Sequence, residues 1–406
     1  MLKADEFCQS THLDTAPLMK QPLKSKSSPR TNSSKPEYSQ EIDPRYIITE
    51  LQSCGLSLAG EELSSRNSSA AGRKGGAGPS DHKAITVGDT TVMVPVYTGS
   101  AANSDYTLQY TQDGQAAIKR LGTEIAAVKL PQQPKFYSLK TAEGIPYNKI
   151  ALLHSNNVLA TTVQQTCMRY RDSRTACQFC AIEDSLKGDR TLARKTPAQL
   201  AEVAAAAVRL DGVEQIVMTT GTPNRSDRGA AYLCDCAAAI KAAVDIPIQA
   251  QCEPPDDFAW FGRLKAAGVD SLGMHLEVVE PDVRSRIMPG KAEVPVDYYF
   301  EAFEAAVAVF GRGQVSTYLL AGLGDRMQTL VDTSRRLIQM GVYPFVVPFV
   351  PISGTPLAEH PAPSSEFMYE LYQQIGTLLK QSDISSQTMK AGCAKCGACS
   401  ALSTFE

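Results

Sequence analysis

The chain has 406 residues, 43% hydrophobic and 20% charged, with a formal net charge of -3 and a pI near 6.0, an ordinary globular composition. That balance supplies no long-range field to draw the chain to nucleic acid or an anionic membrane, and it directs attention to a small-molecule substrate. The longest apolar stretch, 342–352, is too short to span a bilayer and is broken by Pro344, Pro348 and Pro351.

Residues 1–35 are polar and lack the apolar run of a secretory signal, so a cytoplasmic location is expected. Residues 1–83 hold Ser-, Gly- and Lys-rich stretches such as "KSKSSPRTNSSKP". They offer too little apolar surface to offset the entropy of ordering, which predicts a disordered or loosely attached segment with one short helix near 46–54. From Ala84, "AITVGDTTVMVPV" reads as a hairpin turning at Gly88-Asp89. A helix around 114–121 and a strand near 124–129 would complete a small α+β cap over 84–150.

After Ile150, strand and helix patterns alternate, the signature of parallel βαβ units in an α/β fold. Strands are expected near 158–167, 215–220, 247–252, 271–277, 315–321 and 343–350. Helices are expected near 197–211, 229–243, 255–267, 295–310, 325–340 and 365–381. Thr196 followed by Pro197 marks a helix start, and Asp211-Gly212 its end. Periodicity leaves an open sheet and an incomplete barrel equally available. Polar or Gly-containing clusters just past every strand end favour a barrel, 151–385, whose mouth gathers them.

Eleven cysteines in an expected reducing compartment point to metal binding, because six of them form two tight triplets. Cys167, Cys177 and Cys180 lie in "CMRYRDSRTACQFC", C-x9-C-x2-C, directly after the first barrel strand. Arg169, Arg171 and Arg174 make this loop basic. Zinc would want a fourth ligand, and the histidines are scattered singly, whereas a [4Fe–4S] cluster on three thiolates keeps one iron free. Cys393, Cys396 and Cys399 in the tail, 386–406, are spaced C-x2-C-x2-C. They suit a second [4Fe–4S] cluster whose fourth position is open, or filled by substrate or by Cys252, with a zinc knuckle or a redox-exposed tail as the alternative. Cys8, Cys54, Cys234, Cys236 and Cys252 share no spacing rule, and small-hydrophobe duty is the default for most of them.

At "CQFC" the sequence resembles the radical SAM (S-adenosylmethionine) superfamily, with Phe179 in the aromatic position before the last Cys; the first gap is six residues longer than the usual C-x3-C. "HLEVVEPDVRSRI", "LLAGLGD" and "PFVPISGTPL" resemble the biotin synthase and lipoyl synthase branch. The whole chain resembles a radical SAM group encoded in bacteria beside a nitrilase, an acetyltransferase and a flavoprotein. The resemblance implies a partial (β/α)6 TIM-like barrel, a SAM-binding [4Fe–4S] cluster on the first triplet, and a one-electron donor such as flavodoxin or ferredoxin. It implies site roles too: Thr219, Thr220, Gly221 and Thr222 at the methionine amino group, Glu277 at the ribose, Arg284 or Arg286 at the carboxylate. Gly322, Leu323, Gly324 and Val350 would then form the adenine wall.

Each of these has a plainer competitor. Glu277 also reads as a carboxylate paired with Arg284 or Arg286, and His275 as a hydrogen-bonded core histidine. Cys252, Glu253 and His275, all near strand ends, are the candidates for contact with substrate. An iron–sulfur electron carrier and a zinc-dependent barrel hydrolase or aldolase are the rival functions.

Overall fold

The computed structural model describes residues 43–58, 81–99, 101–110 and 115–406. Most of the segment expected to be disordered therefore lies outside the described residues. The short helix expected near 46–54 is α1 (Pro44–Cys54), and β1 (Ser57–Leu58) follows it and pairs with a later strand. Asp43 caps α1 by accepting from the Arg45 N–H at 2.9 Å, and Pro44 occupies the first turn. Ile47, Ile48 and Leu51 are buried. Three apolar residues on one face repay the ordering of a short helix when another element covers them.

The remainder of the cap is β2 (His82–Val87), β3 (Thr90–Pro95), β4 (Tyr106–Tyr110), β5 (Ala116–Arg120) and β6 (Thr123–Lys129), in a sheet ordered β1-β4-β5-β6-β2-β3. The β2–β3 hairpin turns at Gly88-Asp89, where Gly88 takes a φ of 58°. The helix expected around 114–121 is a strand instead. Its alanines suit a helix locally, yet Ala117 and Ile118 are buried and pair with Gln109 and Leu108 of β4, so cross-strand packing overrides propensity.

The larger sheet holds β7 (Leu152–His154), β8 (Val158–Gln164), β9 (Gln215–Thr220), β10 (Ile248–Gln251), β11 (Ser271–Gly273), β12 (Val315–Ala321) and β13 (Val342–Pro348). Its spatial order is the chain order: β7 is antiparallel to β8, and β8 to β13 pair in parallel. This is a partial (β/α)6 barrel. Its connections are α2 (Asp184–Lys187), α3 (Pro197–Asp211), α4 (Ala230–Ala243), α5 (Ala259–Ala266), α6 (Pro281–Ile287), α7 (Pro289–Ala292), α8 (Val296–Phe310) and α9 (Met327–Met340). Then follow α10 (Ser365–Lys380), which packs against both α1 and α9, and α11 (Cys393–Cys396) in the tail. α3 starts on the capping box of Thr196 and Gln199 and stops at left-handed Gly212, φ 64°.

The tail enters the barrel from the end where the strands begin. Gln215 opens β9, Gln249 lies on β10, Ser271 opens β11 and Gln314 precedes β12; all four are buried. Buried amides and hydroxyls need partners, and the tail's main chain supplies them. Gly392 N–H donates to Gln215 Oε1 at 2.7 Å, Cys393 N–H to Gln249 Oε1 at 3.2 Å, Ala391 N–H to Ser271 Oγ at 3.3 Å and Lys390 N–H to Gln314 Oε1 at 3.0 Å. Gln314 Nε2 in turn donates to Thr388 O at 2.9 Å. The cap closes over the far side, with Met93 N–H and Gln52 Nε2 both donating to Ala398 O, at 2.7 and 3.1 Å.

Gly392 has a φ of 117°, and a Cβ there would run into the Gln249 amide. Gly392→Ala is therefore expected to cost roughly 2–4 kcal/mol through strain and overpacking. A fall in the urea midpoint, with faster amide exchange over 386–406, is the measurement that checks it.

Candidate active site between two cysteine triplets

The nine residues between Cys167 and Cys177 fold into a compact turn. Thr175 Oγ1 donates to Arg169 O at 2.9 Å, and the N–H groups of Thr175 and Ala176 both reach Asp172 O at 2.9 Å. The loop is then held on two sides. Met168 N–H donates to Thr222 O at 2.9 Å beside the end of β9, and Gln178 N–H to Ile287 O at 2.8 Å at the end of α6. Gly221 lets β9 pass flush against the residue before Cys167, since a Cβ there would meet the Thr166 carbonyl.

Arg169 points inward from this loop and pairs with Glu253, both nearly fully buried. Thr222 Oγ1 donates to the same carboxylate at 2.6 Å, and Arg228 lies 3.6 Å from it. Burial alone would raise the Glu253 pKa, but Lys291 and Arg169 hold it below the usual carboxylate value. Lys291 Nζ donates to Glu277 Oε2 at 2.7 Å. Burial alone would lower the Lys291 pKa, and the Glu277 carboxylate holds it high. Glu277 takes a φ of 62°, rare for a residue with a Cβ, where the chain lifts off after β11.

A cavity of about 150 Å³ is walled by Cys167, Cys177, Cys180, Thr219 to Thr222, Cys252, Glu253 and Lys291. A larger one, about 380 Å³, shares Phe179, Cys180, Thr219, Gln251, His275 and Glu277 with it and runs down the barrel to Cys393 and Cys399. Its wall is mostly apolar, from Val217, Leu320, Val347 and Phe349, with Gln52, His82 and Met93 contributed by the cap. Burial pushes the Cys180 and Cys396 thiols up to about 12 and raises those of Cys177, Cys393 and Cys399. Metal loading at either triplet must therefore displace protons. His275 accepts from the Tyr318 N–H at Nδ1, 3.3 Å, which puts the proton of the neutral ring on Nε2. That Nε2 is buried and has no hydrogen-bond partner among the described residues.

Residues 167–337 match the sequence profile of the Radical SAM superfamily. Over those residues the chain carries a radical SAM domain. It is 26% identical to a bacteriochlorophyllide c C-7(1)-hydroxylase of Chlorobaculum limnaeum over 276 residues, 63% of this chain and 68% of that one. It is 25% identical over 123 residues to a probable dual-specificity RNA methyltransferase of Moorella thermoacetica, 30% of this chain and 35% of the relative. Among solved structures, methylornithine synthase aligns with a TM-score of 0.45 and 15% identity over 66% of this chain and 77% of its own. The [FeFe]-hydrogenase maturase HydG aligns with a TM-score of 0.44 and 14% identity, and the chain spans about half of its length (53%).

A radical SAM enzyme uses a [4Fe–4S] cluster and SAM, and the donor set at the mouth fits that cluster: three thiols around one hollow, clear of a tetrahedral ligand cage. Of the residues expected around SAM, Phe179, Thr219 and Glu277 line both cavities, Thr220, Gly221 and Thr222 the smaller, and Val350 the larger. Others lie elsewhere. Arg284 is buried with its guanidinium donating to Leu276 O and Val278 O at 2.7 and 2.9 Å, so it braces the segment after β11 instead of facing the mouth. Arg286 is exposed outside both cavities. Gly322 packs on Pro363, Leu323 joins Val278, Ile287, Met288 and Phe349 in a small core, and Gly324 is exposed, so none of the three walls a cavity. The partner of Glu277 is Lys291, not Arg284 or Arg286.

Cys252, a candidate fourth ligand for the tail, lines the first triplet's cavity and not the one ending at Cys393 and Cys399. Cys236 is buried, Cys234 half-buried and Cys54 exposed; Cys8 lies outside the described residues. Sequence reasoning missed Lys291, Arg169 as a partner of Glu253, Tyr318, and the cap residues. The sole local signal was the density of arginines in the Cys167 loop.

Arg169→Met leaves Glu253 short of its main buried partner and is expected to cost about 3 kcal/mol. Arg169→Met/Glu253→Leu should recover at least half of that in urea unfolding. The His275 ring, near 6.5 when exposed, is pushed down to about 3 by burial and by Lys291. Below about pH 6.5 the unfolded chain takes up a proton that the folded chain refuses, so stability falls towards pH 3. His275→Gln should flatten that slope, read from urea midpoints of cluster-free protein at pH 5 and pH 7.

Proposed function

We propose that this radical SAM enzyme acts on a small molecule held between two iron–sulfur clusters, one on Cys167, Cys177 and Cys180 and a second on Cys393, Cys396 and Cys399. One observation carries the reading: Cys180 of the first triplet and Cys393 and Cys399 of the second line the same cavity, which adjoins the one walled by Cys167 and Cys177. An isolated electron carrier or a zinc-binding tail has no use for an apolar chamber between its thiols.

With its cluster and SAM bound, the first site supplies a 5′-deoxyadenosyl radical that takes hydrogen from a substrate. The protein's part is to bind, orient and exclude water. Thr219 to Thr222 and Glu277 present hydroxyl, carbonyl and carboxylate groups to the amino and ribose ends of SAM, while Phe179 and Val350 cover its flat face. Lys291 supplies the cation for the SAM carboxylate in place of Arg284 and Arg286. The buried Arg169–Glu253–Arg228 group keeps the Cys167 loop in register with β9 and β10. His275 offers a neutral Nε2–H to an acceptor on the substrate, with Cys252 and Glu253 at the rim.

Cys393, Cys396 and Cys399 would hold the second cluster, which would supply sulfur, as the resemblance to biotin and lipoyl synthases suggests, or one-electron exchange. The resemblance to a nitrilase-associated group points to a nitrogen-containing substrate. A relative named as a hydroxylase is compatible with an oxidative outcome. A cytoplasmic enzyme reduced by flavodoxin or ferredoxin fits thiol sites that need a reducing compartment. No helix among the described residues is long and apolar enough to cross a membrane.

Anaerobic reconstitution with iron and sulfide should give about eight iron per chain in wild type and about four when either triplet is replaced by alanine. With dithionite and SAM, wild type should form 5′-deoxyadenosine and Cys177→Ala/Cys180→Ala should not. Zinc in the tail, or about four iron in wild type, would remove the second cluster. Absence of 5′-deoxyadenosine from fully loaded protein, with substrate-triggered cleavage excluded, would favour an electron carrier.

A further inference from the structure

The two triplets differ in what faces them. Cys177 and Cys180 lie in the field of the Glu277 carboxylate and the Lys291 ammonium, whereas the tail sulfurs are faced by amide, hydroxyl and imidazole groups. Gln251 Nε2 donates to Cys393 Sγ at 3.1 Å, and Tyr318 lines the same cavity as that cysteine, with its hydroxyl in reach of the sulfur. The Ser155 hydroxyl faces Cys396. His154 Nε2 stands 3.4 Å from Cys399 Sγ, within hydrogen-bonding reach of sulfur.

These donors come from three strands and one turn. His154 ends β7, the strand antiparallel to β8 at the edge of the barrel sheet, and Ser155 follows it with a φ of 55°. Left-handed backbone at a residue with a Cβ is strained, and strain persists where surrounding structure holds it. Tyr318 is on β12, its ring edge-on to His275 with centroids 4.4 Å apart, and it lines the chamber together with His275 and Cys393. Three thiolates around a buried cluster leave net negative charge. Hydrogen bonds to the ligand sulfurs then stabilise the more negative, reduced state and raise the potential.

We propose, resting on the reading of a second cluster, that His154, Tyr318 and Gln251 are positioning residues of the C-terminal cluster: they donate to its ligand sulfurs and set its reduction potential, and none of them binds iron. The tuning groups are an imidazole, a phenol and an amide, and Tyr318 connects that tuning to the chamber wall at His275.

The test uses full-length Cys167→Ser/Cys177→Ser/Cys180→Ser, which isolates the tail, reconstituted anaerobically and compared with the same protein carrying Tyr318→Phe or His154→Leu. Iron and sulfide are counted, the reduced cluster is recorded by electron paramagnetic resonance, and the midpoint is titrated. The expected result is unchanged iron with the reduction equilibrium displaced about tenfold towards the oxidised form in each variant, 59 mV for a one-electron couple. His154→Asn, which keeps a donor, should recover part of the shift. Unchanged midpoints in both variants would overturn the inference. Loss of iron in His154→Leu alone, with folding intact by circular dichroism, would make His154 a ligand and overturn its assigned role. A background protein that takes up no iron would instead sink the second-cluster reading itself, and the inference with it.

Discussion

Buried polar side chains at the end of the barrel where its strands begin must find hydrogen-bond partners, and the tail's main chain is what they find. Gln215, Gln249, Ser271 and Gln314 meet the N–H groups of residues 390–393 one after another. An unpaired buried amide costs about 1–3 kcal/mol, so the tail is held along its length by several such requirements at once. Its position then places Cys393 and Cys399 inside the barrel, and the cap seals the arrangement through Ala398.

The opposite end is organised by charge. A carboxylate as buried as Glu253 is tolerated when cations surround it, and Arg169, Arg228 and Lys291 come from three separate segments to do so. Because Arg169 belongs to the cysteine loop, the ion pair also fixes where Cys167 stands relative to β10. The long first gap of the motif is thus a folded element: the added residues provide the turn around Asp172 and the inward arginine. Between the two ends lies an apolar shaft, suited to keeping water from reactive chemistry.

Much of the architecture was legible from local pattern. Six strand–helix units appear in the expected order, and the β9 and β12 spans agree with expectation at both ends. The first and fourth strands end early, at Gln164 and Gly273, because the chain must leave the sheet to form the cysteine loop and the left-handed Glu277. Residues 116–120 misled because alanine-rich sequence is helical in isolation and extended here only through its neighbours in the sheet. Arg284, Arg286 and Gly322 to Gly324 lay near strand ends as required, but proximity in sequence to a mouth does not say which way a side chain turns.

By itself the sequence determined the strand–helix alternation, the two cysteine triplets and the chemistry their spacing suits, since periodicity and ligand spacing are properties of neighbouring residues. Only the tertiary structure decided that Cys180 lines one cavity with Cys393 and Cys399, that Lys291 rather than an arginine answers Glu277, and that Cys252 faces the first triplet and not the second. The Lys291–Glu277 pair joins residues 14 positions apart, and the tail's bond from Gly392 to Gln215 joins residues 177 apart. Their partners are chosen by burial, which pairs whichever charges and hydrogen-bonding groups the packed core has removed from water.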